Sequence, residues 1–238
     1  MYFKKHEGET LAGRLYGVGV GPGDPELITL KALRIIKECG VVAVPGREPQ
    51  KSIAYNIVLK IYPELDKKEL VGIHMPMTKD KAVLEESHVN GAGILCRILD
   101  AGKDIAFLTL GDVTVYSTYM YLHKKVSEQG YNAEIVNGIP SFCAAAARLG
   151  TSLAEKDEEL HIIPASYQTE DALKLSGTKV LMKAGKKIAD VKESLIKSGL
   201  QAVMVENCGM EDERIYRSAE NIPEDAGYYS LIIVKERL

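Results

Sequence analysis

The chain has 238 residues, 46% of them hydrophobic and 26% charged, with 30 Lys and Arg against 33 Asp and Glu for a formal charge of −3. No apolar run approaches the ~20 residues that cross a bilayer, and the absence of a basic excess counts against a nucleic-acid partner. The N-terminal MYFKKHEGETLAG carries lysines but no apolar stretch behind them, which predicts no secretory signal and a cytoplasmic protein.

Strands and helices take turns along the chain. Leu15–Val20 reads as a strand, Asp24 as a helix N-cap with Pro25 at the first helical position, and Leu27, Leu30, Leu33 and Ile36 as the helical face that follows, stopping near Gly40. Two buried parallel strands are predicted at 41–44 and 105–110. Val115, Tyr119, Leu122 and Val126 keep one helical face; 133–136 is a further strand, and the alanine-rich 141–149 suits a closely packed helix stopped by Gly150. Beyond it the rhythm changes, with strands at 161–165, 179–184, 202–207 and 228–234 and a helix at 187–198. The fold class is therefore α/β, an N-terminal α/β domain over 1–140 with a mostly parallel sheet and a C-terminal α/β domain over 141–238 with a mixed one.

The loop GVGVGPGDPE, 17–26, resembles a nucleotide cradle and fails the test of one. A dinucleotide fingerprint needs G-x-G-x-x-G, and from Gly17, Gly19 and Gly21 the third place falls on Pro22, Asp24 and Glu26. No Gly-Lys-Ser/Thr follows, and an acidic cap repels a phosphate from the helix N-terminus. The alternative is a tight turn whose glycines permit positive φ or close backbone approach. Cys39, Cys96, Cys143 and Cys208 are widely spaced, with no C-x-x-C pair, and the five histidines form no constellation, so no bound metal is expected.

With G-V-G-V-G-P-G-D-P-E-L-I-T-L, L-T-L-G-D-V-T-V-Y-S-T at 108–118 and N-G-I-P-S-F-C-A-A-A-A-R-L-G at 137–150, the chain resembles the tetrapyrrole methylases, S-adenosylmethionine-dependent enzymes of corrin and siroheme synthesis. LMKAG, VENCG and the closing YYSLIIV continue the likeness in order over nearly the whole chain. Within the family, Y-S-T-Y-M-Y-L and VVAVPG are most similar to the C(20)-methyltransferases of precorrin-2 or cobalt-precorrin-2. Two positions depart from the family pattern: G-D-P is G-D-V here, and T-S is P-S.

The resemblance implies two α/β domains with S-adenosylmethionine in a cleft between them, a tetrapyrrole substrate, and a homodimer. By the same likeness Pro22, Leu110, Gly111, Asp112, Val115, Ser117, Thr118, Pro140, Ser141, Met182 and Cys208 are the expected donor contacts. A reduced tetrapyrrole's bridge carbon is enamine-like and attacks a sulfonium methyl held in line, after which its proton must leave. Asp112 is the expected general base; Asp24 is the other carboxylate at a strand's end and also a candidate substrate contact. Arg47, Arg148, Lys183 and Lys186 are candidates for the substrate's carboxylate arms. The competing classes are a non-catalytic nucleoside-binding module and a methylase of the same family acting on diphthamide or ribosomal RNA; a nicotinamide dehydrogenase lacks its fingerprint.

Overall fold

The computed structural model describes residues 12–236, without the side chains of 166–168 and 186, and these residues form two units. The first takes the chain up to Gly21 and Pro25–Ile139, and the second takes Pro22–Asp24 and the chain from Pro140 onward.

The first unit runs β1 (Leu15–Gly19), α1 (Leu30–Glu38), β2 (Val41–Pro45), α2 (Ile53–Ile61), β3 (Glu69–Ile73), α3 (Lys81–Asp100), β4 (Ile105–Thr109), α4 (Tyr119–Glu128) and β5 (Ala133–Val136). Its five strands are all parallel, in the order β3-β2-β4-β1-β5. Alternate strand residues serve two cores. Val18, Val42, Val44, Ala106 and Leu108 join Ile36 of α1 and Val58 of α2, while Leu15, Val41, Ala43, Ile105 and Phe107 join Leu95 of α3 and Leu122 of α4. Helices on both faces leave no polar side to these strands, hence the unbroken apolar runs in the sequence. Because every strand points the same way, the loops after β1, β2, β4 and β5 leave from one edge, where open α/β sheets bind their ligands.

Three local expectations are corrected. Pro25–Leu27 is a short 3₁₀ turn, and α1 starts at Leu30, capped by Thr29, whose Oγ1 accepts from the Ala32 N–H at 3.2 Å. Asp24 does not cap α1. Leu30 is 88% exposed, and Ala32, Ile35 and Ile36 form the buried face, so the leucine spacing was in phase with a helix beginning one turn too early. Val115 precedes α4 and shares no helical face with Tyr119, Leu122 and Val126. Residues 46–104, to which the sequence reading assigns nothing, hold α2, β3 and the 20-residue α3, in which Asn90, Gly91 and Gly93 dilute the helical signal. Gly91 is there for space: a Cβ on it would lie 2.8 Å from Ile73 Cγ2.

The second unit runs α5 (Ser141–Leu149), β6 (Leu160–Pro164), α6 (Ala165–Leu173), β7 (Thr178–Met182), α7 (Ile188–Ser198), β8 (Gln201–Glu206), β9 (Arg214–Tyr216) and β10 (Ser230–Lys235). The sheet order is β6-β7-β10-β8-β9, with β6 and β7 parallel and the other pairs antiparallel. Leu181, Met204, Ile232 and Val234 bury one face against α6 and α7, through Ala172, Ile188, Val191 and Leu195. The expected alanine helix is α5; it buries Phe142, Ala144, Ala145 and Ala146, packs on β10, and ends at Gly150 in the left-handed region. Among the described residues no helix is long and apolar enough to cross a membrane.

Candidate functional site

The glycines of the opening loop are explained one by one by what they touch. Gly17 and Gly19 point to the same face of β1. A Cβ on Gly17 would stand 2.1 Å from the Tyr119 ring, and one on Gly19 would stand 2.5 Å from the Gly138 nitrogen and 2.7 Å from the Gly111 oxygen. Gly21 (φ +79°) and Gly111 (φ +72°) are both left-handed and exchange a pair of backbone hydrogen bonds. In the second unit, a Cβ on Gly23 would stand 2.2 Å from the Cys208 oxygen. The alternation therefore makes room for one ring at Gly17 and for backbone crossings at Gly19, Gly21 and Gly23, and it leaves the strand-end rim of the first unit made largely of main chain.

Asp112, 6% exposed, lies at the centre of that rim. Its Oδ1 accepts from the Thr114 N–H at 2.8 Å and the Thr114 hydroxyl, and its Oδ2 accepts from the Gly138 N–H at 3.0 Å and Asn137 Nδ2 at 3.2 Å. Burial pushes its pKa up, but the bonds from Thr114, Asn137 and Gly138 outweigh burial and hold it below the usual carboxylate value. With four donors on its two oxygens, Asp112 ties the turn after β4 to the loop after β5.

Leu110 is half-buried at this rim, Val115 and Ser117 are half-buried beyond it, and Thr118 is exposed. Ser117 Oγ accepts from the Tyr119 N–H at 3.2 Å, which opens α4. Tyr119 itself is fully buried, against Phe107 and with its hydroxyl 3.2 Å from His123 Nδ1, so it is core and does not line a substrate edge. Arg47 follows the end of β2 at the same sheet edge and is exposed.

In the second unit the register sets Pro164, Met182, Glu206 and Ser230 at one edge. Lys183 (φ +57°) and Asn207 (φ +52°) follow directly after β7 and β8. Strained backbone at two strand ends is the kind of outlier that collects at binding sites. Lys183 is half-buried, and burial lowers its pKa. Cys208 is buried, its thiol pushed up to about 11 chiefly by burial, so it is a neutral group. Tyr228 and Tyr229 stand edge to face at this edge, 43% and 42% exposed. Pro140 caps α5 and Ser141 opens it. The side chain of Lys186 lies outside the described residues.

Arg148, a candidate for the substrate's carboxylate arms, is paired within this chain. Its Nε donates to both carboxylate oxygens of Glu213 at 3.0 Å, and Nη2 lies 2.8 Å from Oε1, so its fork is already occupied by a carboxylate of this chain. Sequence reasoning missed Glu213, Asn137 and Thr114. Asn137 stood inside a quoted motif, but its bond to Asp112 depends on β1 lying between β4 and β5, which no local signal carries.

A model of the tetrapyrrole (corrin/porphyrin) methylases matches residues 14–222. The chain is 38% identical over 231 residues to the probable cobalt-precorrin-2 C(20)-methyltransferase of Methanocaldococcus jannaschii, across 94% of this chain and 97% of that protein. It is 32% identical over 233 residues to the cobalt-precorrin-2 C(20)-methyltransferase of Salmonella typhimurium, across 94% and 97%. Its fold is similar to that of uroporphyrin-III C-methyl transferase from Thermus thermophilus complexed with S-adenyl homocysteine, at a TM-score of 0.70 and 23% identity over 94% and 98% of the two chains.

Proposed function

The chain belongs to the tetrapyrrole (corrin/porphyrin) methylases, and from that premise we propose that it methylates C(20) of precorrin-2 or cobalt-precorrin-2. The observation that carries the reading is the 38% identity to a protein named for that reaction, spread over 94% of this chain. S-adenosylmethionine would supply the electrophilic methyl: the C(20) bridge carbon would give the electron pair for the new carbon–carbon bond as the methyl–sulfur bond breaks and S-adenosylhomocysteine leaves. The strand-end rim around Gly21, Gly111 and Gly138 is built of closely packed main chain, and this is the surface proposed to meet the donor.

Leu110, Gly111, Val115, Ser117 and Thr118 are the donor contacts proposed in the first unit, and Pro22, Pro140, Ser141, Met182 and Cys208 those in the second. Asp112 is the base proposed to take the bridge proton, and its bonds from Thr114 and Gly138 hold the loops on either side of it. Arg47 and Lys183 remain the cations proposed for the substrate's carboxylate arms. Alignment within about an ångström decides which of several similar carbons reacts, and positioning of this kind supplies ~7–11 kcal/mol. We also propose that the protein acts as a cytoplasmic homodimer.

The test is to incubate the protein with methyl-labelled S-adenosylmethionine and reduced tetrapyrroles, with and without cobalt, and to follow the label. Label in the pigment supports the reading. Label in protein or RNA alone contradicts it.

A further inference from the structure

The loop after β8 is closed on itself. Asn207 accepts from the Met210 N–H at 2.9 Å, Met210 accepts from the Glu213 N–H at 3.2 Å, and Asn207 Nδ2 donates to Asp212 Oδ2 at 2.7 Å. It is also pressed against Pro22–Asp24: a Cβ on Gly209 would stand 2.5 Å from the Asp24 nitrogen, just as one on Gly23 would meet the Cys208 oxygen. At this distance a shift of the loop changes the position of Pro22–Asp24 directly, so what fixes the loop also sets that segment.

That anchor is Glu213. Its Oε2 accepts the Gly209 N–H at 2.7 Å, and both its oxygens accept from the forked guanidinium of Arg148, at the end of α5. The Glu213 side chain is 13% exposed and the Arg148 side chain 56%, so the pair has its carboxylate inside and its cation at the surface. Burial raises the Glu213 pKa, and the bonds from Arg148 and Gly209 bring it below the ordinary value. Planar two-pronged pairing of this kind fixes orientation as well as charge.

We infer that Arg148 and Glu213 are positioning residues for the methyl donor, setting the main chain of Cys208–Gly209 and of Pro22–Asp24 rather than touching the tetrapyrrole. The inference rests on the proposed donor role of Pro22 and Cys208. Removing Arg148 leaves a mostly buried carboxylate without its cation, and removing Glu213 leaves the Gly209 N–H without its acceptor; both release the loop.

The test measures S-adenosylhomocysteine binding by calorimetry and the Michaelis constant for the tetrapyrrole in Arg148→Ala, Glu213→Ala and Arg148→Lys. The expected result is a loss of S-adenosylhomocysteine affinity of about tenfold or more in both alanine variants, the scale of a sub-ångström to ångström misplacement. The tetrapyrrole constant stays unchanged, and Arg148→Lys recovers most of the affinity. Hydrogen exchange on the wild-type protein gives a second readout that needs no variant: amides of 207–213 slow when S-adenosylhomocysteine is added. A raised tetrapyrrole constant at unchanged donor affinity returns Arg148 to the substrate arms and overturns the inference. So does an unchanged donor affinity with only a lower melting temperature, or no change in exchange over 207–213. If the wild-type protein binds no S-adenosylhomocysteine at all, the methylase reading fails rather than the pair.

Discussion

Gly21 and Gly111 donate to each other's carbonyls, the Gly21 N–H to Gly111 O at 3.2 Å and the Gly111 N–H to Gly21 O at 2.8 Å, with both residues in the left-handed region. This one antiparallel bridge joins the loops that leave two neighbouring parallel strands, β1 and β4. Each strand must end in a residue that can turn back at positive φ, which glycine does without the ~1–2 kcal/mol cost of a Cβ. The bridge explains why the two motifs at 17–26 and 108–118 both contain glycine at the strand end.

Gly19→Ala should destabilise the first unit. Its Cβ would meet backbone at 2.5 and 2.7 Å, and backbone cannot step aside as a flexible side chain can. The expected loss is about 1–3 kcal/mol or more by urea denaturation. Gly93→Ala, inside α3 with nothing within 4 Å of its Cβ, is the control and should gain about 0.5–1 kcal/mol. Equal stability of the two variants would remove the crossing at Gly19 from the account.

Asp112→Asn should lower stability rather than slow chemistry alone. The amide nitrogen would face an N–H donor whichever way it turned, Thr114 on one side or Gly138 on the other, at a cost of about 1–3 kcal/mol. The native carboxyl titrates below the ~3.9 of a free aspartate. Its contribution is therefore complete above about pH 4 and is lost as pH falls through the lower native value. Denaturation curves should show the gap between wild type and variant closing at that acid end. A stable variant with a shifted pH–rate profile would leave Asp112 as the base and remove its structural role.

Much of this was legible beforehand, for physical reasons. Doubly buried strands such as 41–44 and 105–110 carry their pattern locally, and so does α5 with its alanines and terminal Gly150. What could not be read are relations between distant residues. Thr29 caps α1 because it stays extended after the Pro25–Leu27 turn, a place that Asp24-Pro25 takes in the sequence pattern. Arg148 reads as a candidate for the substrate's carboxylate arms, and nothing local points to Glu213, 65 residues on, in its fork.

Thiol reactivity separates the four cysteines. Cys39, Cys96 and Cys208 are buried, with Cys39 pushed up to about 12 and Cys208 to about 11 chiefly by burial, whereas Cys143 is exposed on α5. A thiolate-selective reagent at pH 8 should label Cys143 first in the native protein, and the other three only on unfolding, as peptide mass spectrometry would show. Rapid native labelling of Cys208 would place it in an open, solvated setting that this structure does not give it.

The position of the new methyl group tests the central claim most directly. The protein is incubated with S-adenosylmethionine carrying a ¹³C methyl and with precorrin-2 or its cobalt complex, and the product is examined by mass spectrometry and carbon NMR. The account predicts the addition of one labelled methyl, attached at C(20). Label at any other ring or bridge carbon would contradict the proposed C(20) site while leaving the family membership intact.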